Sequence, residues 1–319
     1  MKKTKLVLVG LVSGLMVITG CGAAYNPSGL ENAQIAEVTI EDAAVPLANS
    51  PITVLTPAAP GTVSYTGGSV VLDASNSSQG YVMIKYSGKN QKIKIQITKS
   101  SGTTYTYNLN ARAAYEVFPL TDGNGTYSIK VFENVAGTKY SQAFSKDISV
   151  KLANQYLPFL YPNQYVNFTA NSNTVKIGAQ VTSSTTDDLK KVELIYDYAV
   201  KNITYDTTKA VNVQSGYLPN VDAVLVAKKG ICFDYASVMA AMLRSQKIPC
   251  KLVVGYSGKV YHAWINVYTA ETGWVDGMIY FDGKQWQMMD PTFASSGKKS
   301  ESIMKYIGTA SNYSAKYIY

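Results

Sequence analysis

The spacing of apolar residues changes once along this 319-residue chain, and that change limits the possible folds more than any other feature. Residues 51–152 alternate apolar and polar side chains in short runs, which is the period of half-buried strands. From Thr185 onward, Leu189, Val192 and Ile195 recur at helical spacing. With 46% hydrophobic residues the chain can build a packed core, which excludes wholesale disorder. The sequence therefore predicts an α+β protein in which a β module precedes a mixed α and β domain.

The first of these regions has the pattern of a β-sandwich. In its clearest run, Ile93, Ile95 and Ile97 alternate with polar neighbours, and turn residues such as those at 122–125 separate one run from the next. Examples of the runs lie at residues 69–72, 81–86, 93–98, 104–109, 126–133 and 144–150. About seven short strands in about a hundred residues are typical of an Ig-like β-sandwich. Nothing in this region indicates catalysis, so we interpret it as a spacer or a binding module, with carbohydrate as one conceivable ligand.

The first 50 residues have the pattern of a targeting segment. Lysines at positions 2, 3 and 5 precede an apolar run that ends at Gly20-Cys21, and this junction resembles the lipobox of bacterial lipoproteins. We therefore expect a signal peptide at 1–20, a lipidated Cys21, a tether at 21–50, and an extracytoplasmic protein anchored to the bacterial cell membrane. The alternative is an uncleaved anchor helix with an incidental Cys21. The glycines of the apolar run make it a mediocre membrane helix.

Charge and composition exclude several classes of function. Loss of residues 1–20 would leave 26 basic against 21 acidic residues, spread along the chain without the basic stripe of a nucleic-acid-binding protein. One histidine and three cysteines exclude multi-histidine metal sites and a disulfide-stapled scaffold. The sequence has no phosphate-binding glycine loop between a strand and a helix, and the turn at 122–125 is too poor in acids for calcium. We therefore expect no cofactor, no metal and no nucleic-acid partner.

Three residues in the second region have the chemistry of thiol acyl transfer. Cys232 precedes a helical period, and a helix N-terminus favours the thiolate, so we expect its pKa to be lowered. His262 lies in an alternating stretch, and Asp290 follows a short apolar run that Pro291 ends. A nucleophile, a base and a group that orients the base are the parts that such a site needs.

These residues lie in motifs that resemble the transglutaminase-like superfamily, whose core is related to papain. The motifs are a Gly-x-Cys-x-Asp-aromatic-Ala block at 230–236, His-Ala-Trp at 262–264 and Asp-Pro-Thr at 290–292. The resemblance implies a transglutaminase-like, papain-like cysteine protease-type α+β domain at 187–319, joined to the β module by a connecting segment at 153–186. It also implies Cys232 as nucleophile, His262 as general base and acid, and Asp290 as the residue that orients the imidazole. The stretch at 269–285 is longer than the hairpin that the family often has there, so substrate specificity is not carried over.

The motifs leave the outcome of the reaction open. Water as acceptor gives a cysteine peptidase or amidase, and an amine gives a protein-glutamine transglutaminase. For a surface lipoprotein we favour hydrolysis of protein or cell-wall peptide. A non-catalytic, lipid-anchored binding or scaffold protein is the alternative from another class.

Three other residues receive a structural interpretation. We expect Cys250 to be small and buried, although a Cys232–Cys250 disulfide, which would remove the nucleophile, is an alternative. Asp234 is interpreted as a helix-start residue that supports the site. Trp264, the tryptophan expected nearest His262, is a candidate for lining the cleft, although core packing is the default for each tryptophan. Oligomeric state is open.

Overall fold

The computed structural model describes residues 52–100, 102–276, 279–281, 286–288 and 313–319. These residues belong to one compact unit, Leu47–Tyr319. The predicted signal peptide, Cys21, the tether and Asp290 lie outside the described residues. Among the described residues, no helix is both long enough and apolar enough to span a membrane.

The first part of the unit consists of two four-stranded antiparallel sheets. Its strands are β1 (Ser64–Gly67), β2 (Val70–Asp73), β3 (Tyr81–Tyr86), β4 (Ile93–Lys99), β5 (Thr104–Asn108), β6 (Glu116–Pro119), β7 (Gly125–Ala136) and β8 (Lys139–Val150). One sheet has the order β1-β2-β3-β6 and the other β5-β4-β7-β8, so the chain crosses between sheets after β3, β5 and β6.

The alternation that predicted these strands also forms their core. In β4, Ile93, Ile95 and Ile97 are buried while the residues between them are half-buried, because successive side chains point to opposite faces. Tyr107 of β5 and Phe118 of β6 lie in different sheets, and their rings meet at 5.2 Å. The two sheets therefore pack face to face. The Ig-like assignment of their topology stays a prediction.

The described residues of the second part form five helices and eight strands. The helices are α1 (Asn173–Val181), α2 (Asp188–Asn202), α3 (Thr207–Asn212), α4 (Val221–Ala227) and α5 (Cys232–Ser245). The strands are β9 (Thr204–Tyr205), β10 (Lys229–Gly230), β11 (Cys250–Ser257), β12 (Val260–Thr269), β13 (Gly273–Val275), β14 (Ile279–Phe281), β15 (Trp286–Met288) and β16 (Tyr313–Ile318). The main sheet has the order β13-β12-β11-β16, while β9 and β10 form a short parallel pair and β14 and β15 an antiparallel pair.

Helix α5 is the centre of this part. Every residue from Asp234 to Ser245 is buried, which is the pattern of a helix surrounded by other elements rather than one at the surface. Helices α1, α2 and α4 pack against it, and so do strands β11 and β12 of the main sheet. The burial of α5 therefore fixes its first residue, Cys232, relative to the sheet.

The hydrophobic core continues from the two sheets into the helical part. Tyr319, which follows β16, packs against Tyr105 and Tyr107 of β5 at ring distances of 5.7 and 6.0 Å. Tyr165, from the segment between the two parts, lies 4.3 Å from the Tyr319 ring. The Thr121 hydroxyl donates a 2.8 Å hydrogen bond to the carbonyl oxygen of Ile318. One buried cluster therefore crosses the predicted boundary at residue 152.

Candidate active site

Cys232 occupies the first position of α5. Its thiol is free and its side chain is partly exposed, unlike the helix residues from Asp234 onward. The chain reaches it through Lys228, which ends α4 in the left-handed conformation at φ 51°, and through Gly230, which pairs with Tyr205. Ile231 is extended and begins the helix without a polar side chain of its own. Cys232 is therefore held at a sharp entry into a buried helix.

Asp234 caps the helix that Cys232 begins. Its side chain is fully buried, and its Oδ2 accepts a 2.8 Å hydrogen bond from the N–H of Ile231. A Cβ on Gly230 would lie 2.7 Å from the Cβ of Asp234, closer than real Cβ contacts. The Gly-x-Cys-x-Asp spacing therefore has a local cause, because Gly230 leaves the room that the capping Asp234 occupies. This is the helix-start role predicted for Asp234.

Two residues that the sequence did not predict complete the surroundings of Asp234. The Lys209 ammonium lies 2.6 Å from Asp234 Oδ2 and 2.6 Å from the Tyr217 hydroxyl. Tyr217 in turn donates a hydrogen bond to Asp234 Oδ1. Burial and the hydrogen bond to Asp234 raise the pKa of Tyr217. Lys209 is 25 positions from Asp234 in the chain, so no local pattern signals this contact.

The first turn of α5 supplies donors as well as a thiol. The first N–H groups of an α-helix have no intrahelical acceptor. Asp234 occupies the N–H of Ile231, and the amides of Asp234 and Tyr235 both bond to the Ile231 carbonyl. The N–H groups of Cys232 and Phe233 are therefore the donors of this turn that can meet an oxyanion.

His262 lies on β12, against which α5 packs. It is 6% exposed and pairs with Gly255 across the sheet. Ala263 and Ile265 of the same strand belong to the buried cluster that α5 fills. The structure therefore brings the helix of Cys232 onto the strand of His262. Contact between the two side chains stays a prediction, as does the participation of Asp290.

Tyr261, beside His262, is the neighbour of Cys232 that the sequence did not predict. The Tyr261 side chain is 50% exposed. Partial burial, then Tyr317, Tyr256 and Cys232 in decreasing order, raise its pKa. Cys232 is therefore one of the groups that act electrostatically on the Tyr261 hydroxyl.

The tryptophans with described side chains are packed. Trp264 is 4% exposed and meets Tyr313 edge to face at 5.3 Å. The Lys251 ammonium lies 3.8 Å from the ring centroid of Trp274. Core packing, the default expectation, therefore describes Trp264 in this structure.

Cys250 has the buried position that the sequence predicted. It is fully buried, and burial raises the pKa of its thiol to about 12. Both Cys232 and Cys250 are free thiols, so the alternative of a disulfide between them is wrong. In the described part of the chain, no group of three or more His, Cys, Asp or Glu side chains is placed to hold a metal ion.

Comparison with known proteins gives one family and a few remote relatives. Residues 175–291 match the model of the transglutaminase-like superfamily. The uncharacterized Bacillus subtilis protein YebA is 32% identical over 104 residues, which are 27% of this chain and only 14% of YebA. The chain therefore spans far less than two thirds of that relative.

Two solved structures are among those that match the chain. The periplasmic domain of TgpA from Pseudomonas aeruginosa is 13% identical, with 76% of this chain and 100% of that domain covered and a TM-score of 0.34. Red sea bream transglutaminase is 10% identical, with 72% and 53% covered and a TM-score of 0.29. The family match and the motifs at Cys232 and His262 agree on one segment. Residues 175–291 of this chain, which form a region of mixed helices and strands, are therefore similar to the transglutaminase-like superfamily.

Proposed function

We propose that the chain is a thiol acyl-transfer enzyme that acts on amide bonds, with Cys232 as nucleophile, His262 as general base and acid, and Asp290 orienting the imidazole. The observation that carries the proposal is the placement of Cys232. A free, partly exposed thiol begins a buried helix inside the segment that matches a family typically composed of cysteine-dependent enzymes. The contrast with the buried Cys250 supports a reactive role for Cys232 alone.

The reaction follows from these roles. His262 takes the thiol proton, and the Cys232 sulfur attacks the amide carbonyl carbon to give a tetrahedral oxyanion. The amides of Cys232 and Phe233 donate to that oxygen. As the carbonyl re-forms, the C–N bond breaks and the imidazolium gives its proton to the departing amine. The thioester is then attacked by water or by a second amine, and the thiol is regenerated.

We favour water as the acceptor, which makes the protein a cysteine peptidase or amidase acting on protein or cell-wall peptide. Transfer to an amine, as in a protein-glutamine transglutaminase, is the second candidate, because the same thioester serves both reactions. A non-catalytic binding or scaffold protein is the third. The capping of the Cys232 helix by a buried carboxylate favours an enzyme, since binding alone does not require a thiol held in this way.

The other parts of the chain receive roles consistent with this proposal. We propose that Cys21 carries a lipid that anchors the protein outside the bacterial cytoplasm, with residues 1–20 removed and 21–50 as tether. The module at 51–152 is proposed as an Ig-like spacer or binding unit that supports the domain at 187–319 through the segment at 153–186. Its shared core with the Tyr319 region supports a fixed spacing between the two.

Incubation of the full chain with casein and a fluorescent primary amine tests the reaction. New amino termini in the casein, absent with Cys232→Ala, are the expected result for a peptidase. Cys250→Ala is the matched control and keeps the activity. Amine incorporation without new termini would replace hydrolysis by transfer.

A third outcome would overturn the enzyme proposal. If neither product forms and no acyl adduct on Cys232 is found by mass spectrometry, the binding protein is the correct interpretation.

A further inference from the structure

We propose that Lys209 and Tyr217 are positioning residues for Cys232, because they hold Asp234 and balance its charge beside the thiol. The inference rests on the proposed function, since it assigns these residues a role in the reactivity of Cys232. Neither Lys209 nor Tyr217 lies in the three sequence motifs.

Asp234 is held by hydrogen bonds and an ion pair. Its carboxylate is fully buried and accepts three hydrogen bonds, from the Ile231 N–H at 2.8 Å, the Lys209 ammonium at 2.6 Å and the Tyr217 hydroxyl. A buried carboxylate is tolerated only where it is paired and hydrogen-bonded. Lys209 is the only cation within ion-pairing distance of Asp234 among the described residues. The positive charge of Lys209 therefore balances the Asp234 carboxylate, and the Tyr217 hydroxyl is a second side-chain hydrogen-bond donor to it.

Both donors come from one short segment. Lys209 lies in α3, which Asp206 caps by accepting a 2.8 Å hydrogen bond from the Lys209 N–H. Tyr217 follows in the loop after α3, with its ring 4.2 Å from the Lys209 ammonium. The same ring lies 6.4 Å from that of Phe233, the residue after Cys232. The segment therefore contacts both residues that follow the thiol and fixes the first turn of α5.

The charge of Lys209 also compensates the negative charge that Asp234 places in the helix turn of Cys232. Asp234 is two residues from Cys232, and a nearby carboxylate disfavours a second negative charge. Lys209 offsets that effect, so the thiolate forms in the same helix turn as a carboxylate that is already paired. Other titratable groups on the described segments around this turn include Tyr165, whose ring lies 5.7 Å from that of Phe233, Lys229 on β10, Tyr256 on β11, and Tyr261 and His262 on β12.

The test is the pH profile of Cys232 alkylation by iodoacetamide in the full chain, read by mass spectrometry of the peptide. We expect Lys209→Met to slow labelling at neutral pH about tenfold and to move the profile to higher pH. Lys209→Arg keeps the charge and most of the reactivity. Lys191→Met is the matched control, because Lys191 pairs with the exposed Asp188 on α2, and it leaves the profile unchanged.

Because an unpaired buried carboxylate can unfold the protein, the double variant Lys209→Met with Asp234→Asn is the second measurement. It removes both charges and is expected to fold and to label Cys232 close to the wild-type rate. A Lys209→Met profile equal to wild type, or a double variant about tenfold slower than wild type, would overturn the inference. If replacement of His262 slows the labelling of Cys232 and replacement of Lys209 does not, only this inference fails. If replacement of His262 leaves the labelling rate of Cys232 unchanged, the proposed function fails.

Discussion

At the scale of single residues, the site depends on close contacts around the first turn of α5. Gly230 has no side chain where Asp234 needs space, and Asp234 caps the helix that begins with Cys232. Lys209 and Tyr217 then pair the buried carboxylate. The motif residues could be predicted from the sequence because they are neighbours in the chain. Lys209 and Tyr217 could not, because their contact with Asp234 is made only by the tertiary fold.

Gly230→Ala tests this account at the residue scale. The new Cβ would lie 2.7 Å from the Cβ of Asp234, so the carboxylate must move and the cap is lost. We expect a loss of about 1–3 kcal/mol in the free energy of unfolding, measured by chemical denaturation, together with slower alkylation of Cys232. Gly102→Ala, whose Cβ would lie 3.2 Å from the Lys99 carbonyl oxygen, is the comparison and is expected to cost less than Gly230→Ala. Equal stability of Gly230→Ala and wild type would contradict the account.

At the scale of elements, those with their own local signal were predicted closely. β3 at Tyr81–Tyr86 matches the predicted run, and α2 begins after Asp187, which caps it by accepting from the Lys190 N–H at 3.0 Å. β1 and β6 are not among the predicted runs, because the Ser-Tyr-Thr-Gly sequence of β1 contains no buried residue and β6 ends on Pro119. α1 was missed within the predicted connecting segment, since Gly178 weakens a helical pattern. In the fold that glycine allows close packing, because its Cβ would lie 3.2 Å from Met242.

The far end of α5 provides a prediction at this scale. Arg244 is 2% exposed and donates to the carbonyl oxygens of Cys250, Tyr161 and Tyr319, at distances from 2.7 to 3.0 Å. Burial lowers the pKa of Arg244 to about 10, so it remains charged at neutral pH. Arg244→Met removes the arginine donor from the carbonyls of Cys250, Tyr161 and Tyr319, of which Tyr319 still accepts from the Leu252 N–H at 2.8 Å. We expect a loss of about 3 kcal/mol in unfolding free energy.

Arg112→Met is the matched control for this experiment. Arg112 also donates to backbone carbonyls, those of Asn90 and Gln91, but it is exposed. We expect that variant to change the unfolding free energy by about 0.5 kcal/mol or less. Similar losses of unfolding free energy in Arg244→Met and Arg112→Met would show that the burial of Arg244 is not the cause of its effect.

At the scale of the whole molecule, tyrosines join the two sheets to the helical part. Tyr165 and Tyr319 lie between β5 and the first turn of α5, where Tyr165 also contacts Phe233 at a ring distance of 5.7 Å. The sequence shows many tyrosines but not which of them meet, because this cluster joins residues far apart in the chain. The junction therefore became visible only in the folded structure.

This junction makes stability sensitive to alkaline pH. Burial raises the pKa of Tyr165 from 10.0 to about 12, so its contribution is fully present below pH 10 and is lost as the pH rises towards 12. We expect Tyr165→Phe to reduce the pH dependence of unfolding free energy in that range by on the order of 2 kcal/mol. Burial also raises the pKa values of Tyr105 and Cys250 to about 12. Part of the pH dependence of the unfolding free energy therefore remains in the Tyr165→Phe variant.

Denaturant titrations at several alkaline pH values measure this effect. Tyr256→Phe, at a tyrosine that is 41% exposed, is the control and keeps the wild-type slope. An unchanged slope in Tyr165→Phe would contradict the burial of a protonated hydroxyl at the junction.

The central claim is that Cys232 is a nucleophile activated by His262. Its most direct test is the alkylation rate of the cysteines in the full chain at neutral pH, resolved peptide by peptide by mass spectrometry. We predict fast labelling of Cys232 and almost none of the buried Cys250. His262→Gln should slow Cys232 by about a hundredfold, while Tyr261→Phe on the same strand should not. If Cys232 is labelled slowly and His262→Gln does not change the rate, the proposal that the protein is an enzyme is contradicted. The alternative of a binding protein would then be favoured.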